Sequence, residues 1–185
     1  GSSATRIAGA RAVRGFSLIE ILVVMALIGI VIALVASRVG DGAVRGNGRP
    51  EGRGIFVGGT SSNAGKSWMV TALCAWLHRR GVSVAPFKAQ NMSNNSYPCT
   101  AGGEIGRAQV AQAEACGLDP EPAMNPILLK PTGHGRSQVV LNGRAWKTLA
   151  AREYYAAAEE LRPHVMRAYS SLASRFEVVV IEGAG

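Results

Sequence analysis

Gly54-Ile55-Phe56-Val57-Gly58-Gly59-Thr60-Ser61-Ser62-Asn63-Ala64-Gly65-Lys66-Ser67 is the stretch on which the reading of the fold turns. An apolar strand runs into a glycine-rich turn, and the turn ends in Gly-Lys-Ser at the head of a helical pattern. Backbone N–H groups of such a turn, with the positive end of the following helix, make a concave anion site. Lys66 is placed to reach outer phosphates and Ser67 to ligate Mg²⁺. Five residues separate Gly59 from Gly65, one more than in the standard phosphate-loop spacing, so the loop is a variant. Gly59, Thr60, Asn63, Ala64, Gly65, Lys66 and Ser67 are the candidate nucleotide-binding residues.

Downstream, Met69, Val70, Leu73, Cys74 and Leu77 recur at helical spacing through Ser67–Arg80, and Gly81 supplies a stop. Val82–Phe87 reads as a second strand. Strand, helix and strand in that order predict a parallel pair with a crossover, hence an α/β fold with a mostly parallel sheet flanked by helices. Lys88–Ser96 follows as a polar, Asn-rich loop, readable as an ordinary turn or as a ligand loop at a strand's C-terminal end. Gly103–Gly117 suits a helix with Ile105, Ala108, Ala111, Gln112 and Ala115 along one side. Pro126–Pro131 and Ser137–Gly143 read as extended pieces, the second closing on an Asn-Gly turn. Arg152–Ser174 is helical in composition, with Pro163 expected to divide or kink it and Tyr154 and Tyr155 expected to pack. Phe176-Glu-Val-Val-Val-Ile-Glu182 is a continuous apolar run of the kind found in fully buried parallel strands. An acid at the tip of such a strand can hold Mg²⁺ directly or through water, so Glu182 joins Ser67 as a candidate metal residue; a surface glutamate at a strand end is the alternative.

The formal charge of +8 is shared between a short head and a longer body. Neither has a basic run interleaved with aromatics, which argues against a nucleic-acid partner. Cys74, Cys99 and Cys116 are odd in number and lack C-x-x-C spacing, so neither a disulfide framework nor a zinc site is indicated. No histidine stands near Cys99 to make it a nucleophile by motif.

The head is different. From Phe16 to Ser37 the chain is apolar apart from Glu20, and a helix of that length spans about 33 Å, enough to cross a bilayer. A buried core helix is the alternative. A carboxylate inside a membrane span costs about 2.5–3.5 kcal/mol on insertion scales, so Glu20 invites a functional explanation. Residues 40–53 are rich in Gly and Arg and read as a linker. The expected division is therefore 1–39 leader and hydrophobic helix, 40–53 linker, and 54–185 an α/β body.

Two resemblances follow from these residues. Arg14-Gly15-Phe16-Ser-Leu-Ile-Glu20 with its apolar run resembles the start of type IV pilins and type II secretion pseudopilins, over about residues 11–37. That resemblance implies cleavage after Gly15, Phe16 as the new N-terminal residue, and Glu20 pairing with a neighbouring subunit's N-terminus. It also implies an inner-membrane anchor through residues 16–37. The body is similar to cobyric acid synthases. The likeness rests on the phosphate loop, Pro86-Phe-Lys-Ala-Gln-Asn-Met-Ser-Asn-Asn-Ser96, Gly103-Glu-Ile-Gly-Arg-Ala-Gln-Val-Ala-Gln-Ala113, Met124-Asn-Pro-Ile-Leu-Leu-Lys-Pro-Thr-Gly133 and Val180-Ile-Glu-Gly-Ala-Gly185. Those enzymes group with dethiobiotin synthetases and cobyrinic acid diamide synthases as P-loop amidoligases.

That resemblance implies a cytoplasmic C–N ligase with ATP and Mg²⁺ as cofactors. Its corrinoid substrate would be adenosylcobyrinic acid a,c-diamide, converted to adenosylcobyric acid through an acyl phosphate with glutamine or ammonia as nitrogen donor. It gives Lys66 and Lys88 catalytic roles beside substrate and phosphate, and sets Asn91 and Asn94 near corrin or nucleotide. Synthases of this family carry further sequence and a glutaminase domain, so the chain is expected to be an inactive fragment. An exported pilin-like head contradicts an ATP-dependent body, and a fusion of two gene fragments is expected to explain their union. A structural pilin-like protein is the rival reading.

Overall fold

The computed structural model describes residues 52–59 and 64–183. Gly15, Phe16, Glu20 and the apolar span 16–37 lie outside the described residues, as do Thr60 and Asn63 of the loop. Among the described residues no helix is long and apolar enough to cross a membrane. In chain order the strands are β1 (Arg53–Val57), β2 (Val84–Phe87), β3 (Gln90–Met92), β4 (Ser96–Pro98), β5 (Glu104–Gly106), β6 (Ile127–Gly133), β7 (Arg136–Leu141), β8 (Arg144–Ala150) and β9 (Val178–Glu182). The helices are α1 (Lys66–Arg79), α2 (Arg107–Ala115), α3 (Ala151–Ala156) and α4 (Ala158–Ala173), with a 3-10 turn at Pro122–Met124.

The first sheet has the order β1-β9-β2 and is parallel throughout, with Val57 beside Glu182 and Phe87 beside Ile181. The apolar run of β9 takes the centre because it can be buried on both faces. Val178 and Val180 pack with Val70, Leu73, Cys74 and Leu77 of α1 and with Cys116 at the end of α2. Val179 points the other way, into a cluster with Phe87 and with Ala168 and Leu172 of α4. Each fully buried valine is worth about 1.5–3 kcal/mol of transfer free energy. The same two-residue alternation then puts Glu182 on the α1/α2 face, next to the head of α1.

Both helices on that face end in the same way. Gly81 (φ 76°) follows α1 and Gly117 (φ 68°) follows α2 in the left-handed region. In each, the glycine N–H and the next residue's N–H return to carbonyls of the last turn: Gly81 to His78 and Val82 to Leu77, Gly117 to Glu114 and Leu118 to Ala113. This is the Schellman arrangement, and at Gly81 it fulfils the expected glycine stop.

The polar region after β2 departs from expectation. The stretch Lys88–Ser96 is not wholly loop: β3 lies within it, and β3 pairs in parallel with β6 to open a second sheet of order β3-β6-β7-β8. The β6/β7 and β7/β8 pairs are antiparallel, so among the described residues only the first sheet is purely parallel. Asn142 (φ 48°) and Gly143 (φ 80°) form the two-residue turn between β7 and β8, and the strand β8 that follows was not anticipated. α2 starts at Arg107 and not at Gly103, because Glu104–Gly106 pairs with β4. The helical stretch 151–173 divides at Ala157, not at Pro163, which is accommodated inside α4. Tyr154 packs as expected and donates to Gln90 Oε1 at 2.6 Å, whereas Tyr155 is exposed.

Candidate nucleotide site

Gly65 (φ 84°) is the N-cap of α1, in a conformation that costs an L side chain and suits glycine. It has no side chain with which to cap the helix, and no acid lies in the first turn. A helix head with neither a side-chain cap nor an acid in its first turn is of the kind that suits a bound anion. Lys66 is buried, with its side chain laid across Gly59: a Cβ there would come within 3.0 Å of Lys66 Cγ and Cδ and 3.3 Å of Nζ. A side chain at Gly59 would press on Lys66, and Gly65 is favoured by its dihedral angle.

Three elements deliver donors to one carboxylate. Ser67 Oγ, from the first turn of α1, donates to Glu182 Oε1 at 2.8 Å. Lys88 Nζ, just past the end of β2, donates to the same oxygen at 2.7 Å. Gln112 Nε2, on α2, donates to Glu182 Oε2 at 2.7 Å. The Glu182 side chain is 1% exposed and that of Lys88 13%. Burial pushes the Glu182 carboxyl up, but hydrogen bonds from Lys88, Gln112 and Ser67, with the charge of Lys88, outweigh it and hold the group below the ordinary glutamate range. Glu182 is therefore an ionised, nearly dry carboxylate beside the head of α1, paired with Lys88.

Asn125 ties the two long arms of this arrangement together. Its Nδ2 donates to the carbonyls of Lys88 (3.1 Å) and Ile127 (2.9 Å), while its Oδ1 accepts from the N–H of Gly106 (3.1 Å), the N-cap of α2. A Cβ at Gly106 would sit 2.3 Å from Asn91 Nδ2 and 2.8 Å from Gln109 Oε1, so a larger residue there would have to displace these two amides. The position of Lys88 and the start of the helix carrying Gln112 are thus set by one buried amide.

The structure brings together Gly59, Ala64, Gly65, Lys66, Ser67, Lys88 and Glu182 of the sequence-derived set. Asn91 faces inward, donating to Gln109 Oε1 at 3.0 Å, and Asn94 is exposed. Sequence reasoning missed Gln109, Gln112 and Asn125, all buried. The available signal was two glutamines three residues apart on the inward side of a helix, where the pattern otherwise calls for apolar residues. The cysteines are buried, and burial, followed by the charges of Glu121 and Glu104, raises the Cys99 thiol. Cys74 is raised well beyond the ordinary thiol range by its hydrogen bond to Cys116 and by burial, so neither of these thiols is poised as a nucleophile.

A parallel sheet whose first strand feeds a glycine turn and a helix head, with lysines, a serine and a carboxylate at the strand ends, defines a phosphate-loop nucleotide-binding domain. The chain belongs to the family described as the CobQ/CobB/MinD/ParA nucleotide binding domain, whose model matches residues 55–181. Among its relatives are cobyric acid synthases. That of Hyphomonas neptunium is 50% identical over 133 residues, covering 72% of this chain and 27% of the relative. The enzyme of Dehalococcoides mccartyi strain CBDB1 is 53% identical over 131 residues (71% and 26%), and that of Mycolicibacterium gilvum 54% over 136 residues (71% and 28%). The chain thus spans about a quarter of the length of the curated relatives it matches. Separately, residues 10–36 match the model of the prokaryotic N-terminal methylation motif. Both resemblances drawn from the sequence are borne out.

Proposed function

We propose that residues 54–185 are the ATP-binding part of a cobyric acid synthase, a ligase that amidates peripheral carboxylates of adenosylcobyrinic acid a,c-diamide. The observation that carries this reading is the convergence of Ser67, Lys88 and Gln112 on the buried Glu182 carboxylate beside the head of α1. A carboxylate is a poor acylating agent until its oxygen becomes part of a good leaving group. In the proposed reaction a substrate carboxylate oxygen attacks the γ-phosphorus of ATP, the bond to the bridging oxygen breaks, and ADP leaves. Ammonia, free or released from glutamine, then attacks the acyl carbon, loses a proton, and expels phosphate to leave the amide. The α1 head and Gly59–Ser67 hold the phosphates, Lys66 neutralises charge developing on the transferred group, and Lys88 does so from the substrate side.

The donor chemistry at Glu182 fits Mg²⁺. Ser67 and Glu182 supply hard oxygens in contact at 2.8 Å, and among the described residues no group of three or more His, Cys, Asp or Glu forms a ready-made metal cage. Mg²⁺ characteristically takes one or two protein oxygens and completes its shell with phosphates and water. Ser67 and Glu182 would hold it, and when bound it would offset charge on the transferring phosphoryl group.

The chain is expected to bind ATP in a Mg²⁺-dependent way while giving no amidated corrin by itself, corrin contacts and glutamine hydrolysis being proposed to need further residues of a synthase. Calorimetry with ATP, and mass spectrometry after incubation with the a,c-diamide, ATP, Mg²⁺ and ammonium, test both parts. Absence of ATP binding by folded protein would overturn the site. Amidated corrin would show that the catalytic boundary is misplaced.

The methylation-motif match favours a second reading for the head: a pilin-like membrane anchor processed after Gly15, with Phe16 as its new N-terminus and Glu20 as its pairing acid. Incubation with a prepilin peptidase in vesicles should yield a chain beginning at Phe16. An uncut chain by mass spectrometry would remove this reading and leave the nucleotide site untouched.

A further inference from the structure

We propose that Gln112 is a positioning residue of the nucleotide site, fixing the plane of the Glu182 carboxylate through Oε2 while Ser67 and Lys88 take Oε1. The inference rests on the reading of Ser67 and Glu182 as a Mg²⁺–nucleotide site and extends it to a helix that sequence alone assigned to packing. Gln112 is fully buried, and its contact with Glu182 spans 70 residues of sequence. A carboxylate only accepts hydrogen bonds, so the amide must turn its nitrogen toward Oε2. That orientation leaves Gln112 Oε1 buried without a hydrogen-bond partner. An unsatisfied buried carbonyl is costly, and an apolar residue of the same length would avoid it. The position is therefore poorly suited to packing alone and well suited to holding Oε2.

The consequence for the site is geometric. With Oε2 held by Gln112, Oε1 is left for both Ser67 and Lys88, the two residues nearest the phosphates. The donor is neutral, so it orients the carboxylate without cancelling the charge a cation needs. The helix that carries it is tied down near its start, where Gln109 accepts from Asn91 and the N–H of Gly106 donates to Asn125. Gln112 donates to Glu182 and acts on the site through it.

The test compares ATP affinity with and without Mg²⁺ in the full chain. Gln112→Met keeps the length and removes the donor, and Gln112→Asn keeps the amide but withdraws it by about 1.5 Å, one carbon–carbon bond. Both variants should lower the Mg²⁺-dependent gain in ATP affinity about tenfold while leaving metal-free affinity within about twofold, the loss expected when the group that orients a metal-binding carboxylate is disturbed. In a Glu182→Gln background, Gln112→Met should add less than about twofold, because the residue acts through Glu182. Equal loss of metal-free and metal-dependent binding, or full additivity with Glu182→Gln, would make Gln112 a merely structural residue and overturn the proposal. Retention of the full gain in folded Gln112→Met would do the same. If wild type itself shows no Mg²⁺-dependent gain, it is the underlying metal reading that fails.

Discussion

Two lysine–glutamate pairs in this chain have the same length and opposite surroundings. Lys88–Glu182 and Lys130–Glu104 are both 2.7 Å long, but the first has side chains 13% and 1% exposed and the second 24% and 27%. The first closes the C-terminal end of the parallel sheet; the second links β6 to β5 at the side of the mixed sheet. Both glutamates are held below the ordinary range, each against the opposing effect of burial. For Glu182 the lowering comes from hydrogen bonds to Lys88, Gln112 and Ser67 and the Lys88 charge, for Glu104 from hydrogen bonds to Lys130 and Ser96 and the Lys130 charge. Distance therefore does not separate them; desolvation does. A dry carboxylate supplied with three donors is expensive to assemble, which marks a site rather than a staple.

Breaking the two pairs should give unequal results. Lys88→Ala leaves a buried charge without its cation and is expected to destabilise by about 3–5 kcal/mol in urea titration. A loss under about 1 kcal/mol would mean that water reaches Glu182 freely and that the contrast between the pairs is unreal. The acid limb sharpens the same contrast. Because the folded Glu182 titrates below its unfolded value of about 4.3, its contribution is complete above that value and disappears as pH falls through the lowered folded one. Lys88→Ala should move the onset of acid unfolding to higher pH, and an unmoved onset would show that Lys88 is not what keeps the carboxylate ionised. The smallest effect belongs to Lys130→Ala, expected to cost about 0–1 kcal/mol because solvent screens a pair that is a quarter exposed. A cost matching that of Lys88→Ala would erase the distinction.

The two regions also differed in what the sequence disclosed. The first sheet was legible because β9 is apolar on both faces, and because Gly65-Lys66-Ser67 and Gly81 bracket α1 with signals that have local causes. Alternation along β9 even decides on which face Glu182 lies. The mixed sheet was only half legible. Its Asn142-Gly143 turn is a local signal, but β8 carries a register shift opposite Val139 and Val140, which breaks the two-residue alternation of Arg144–Ala150. β3 and β5 are three residues each, too short for a pattern. Within the site, Lys66, Ser67 and Glu182 stood out as residue types in a known spacing. Gln112 did not, since its meaning lies in a tertiary contact and a glutamine on an amphipathic helix passes for a tolerated boundary residue.

The most direct test of the nucleotide site is the affinity of the full chain for Mg²⁺–ATP before and after Lys66→Ala. Lys66 is buried against Gly59 at the head of α1, so its removal takes away the cation nearest the expected phosphates. Calorimetry should show wild-type binding weakened at least about tenfold, roughly 1.4 kcal/mol, in a variant whose circular dichroism and thermal midpoint show that it is folded. Equal affinity in the two folded proteins would contradict the assignment of Gly59–Ser67 as the phosphate site.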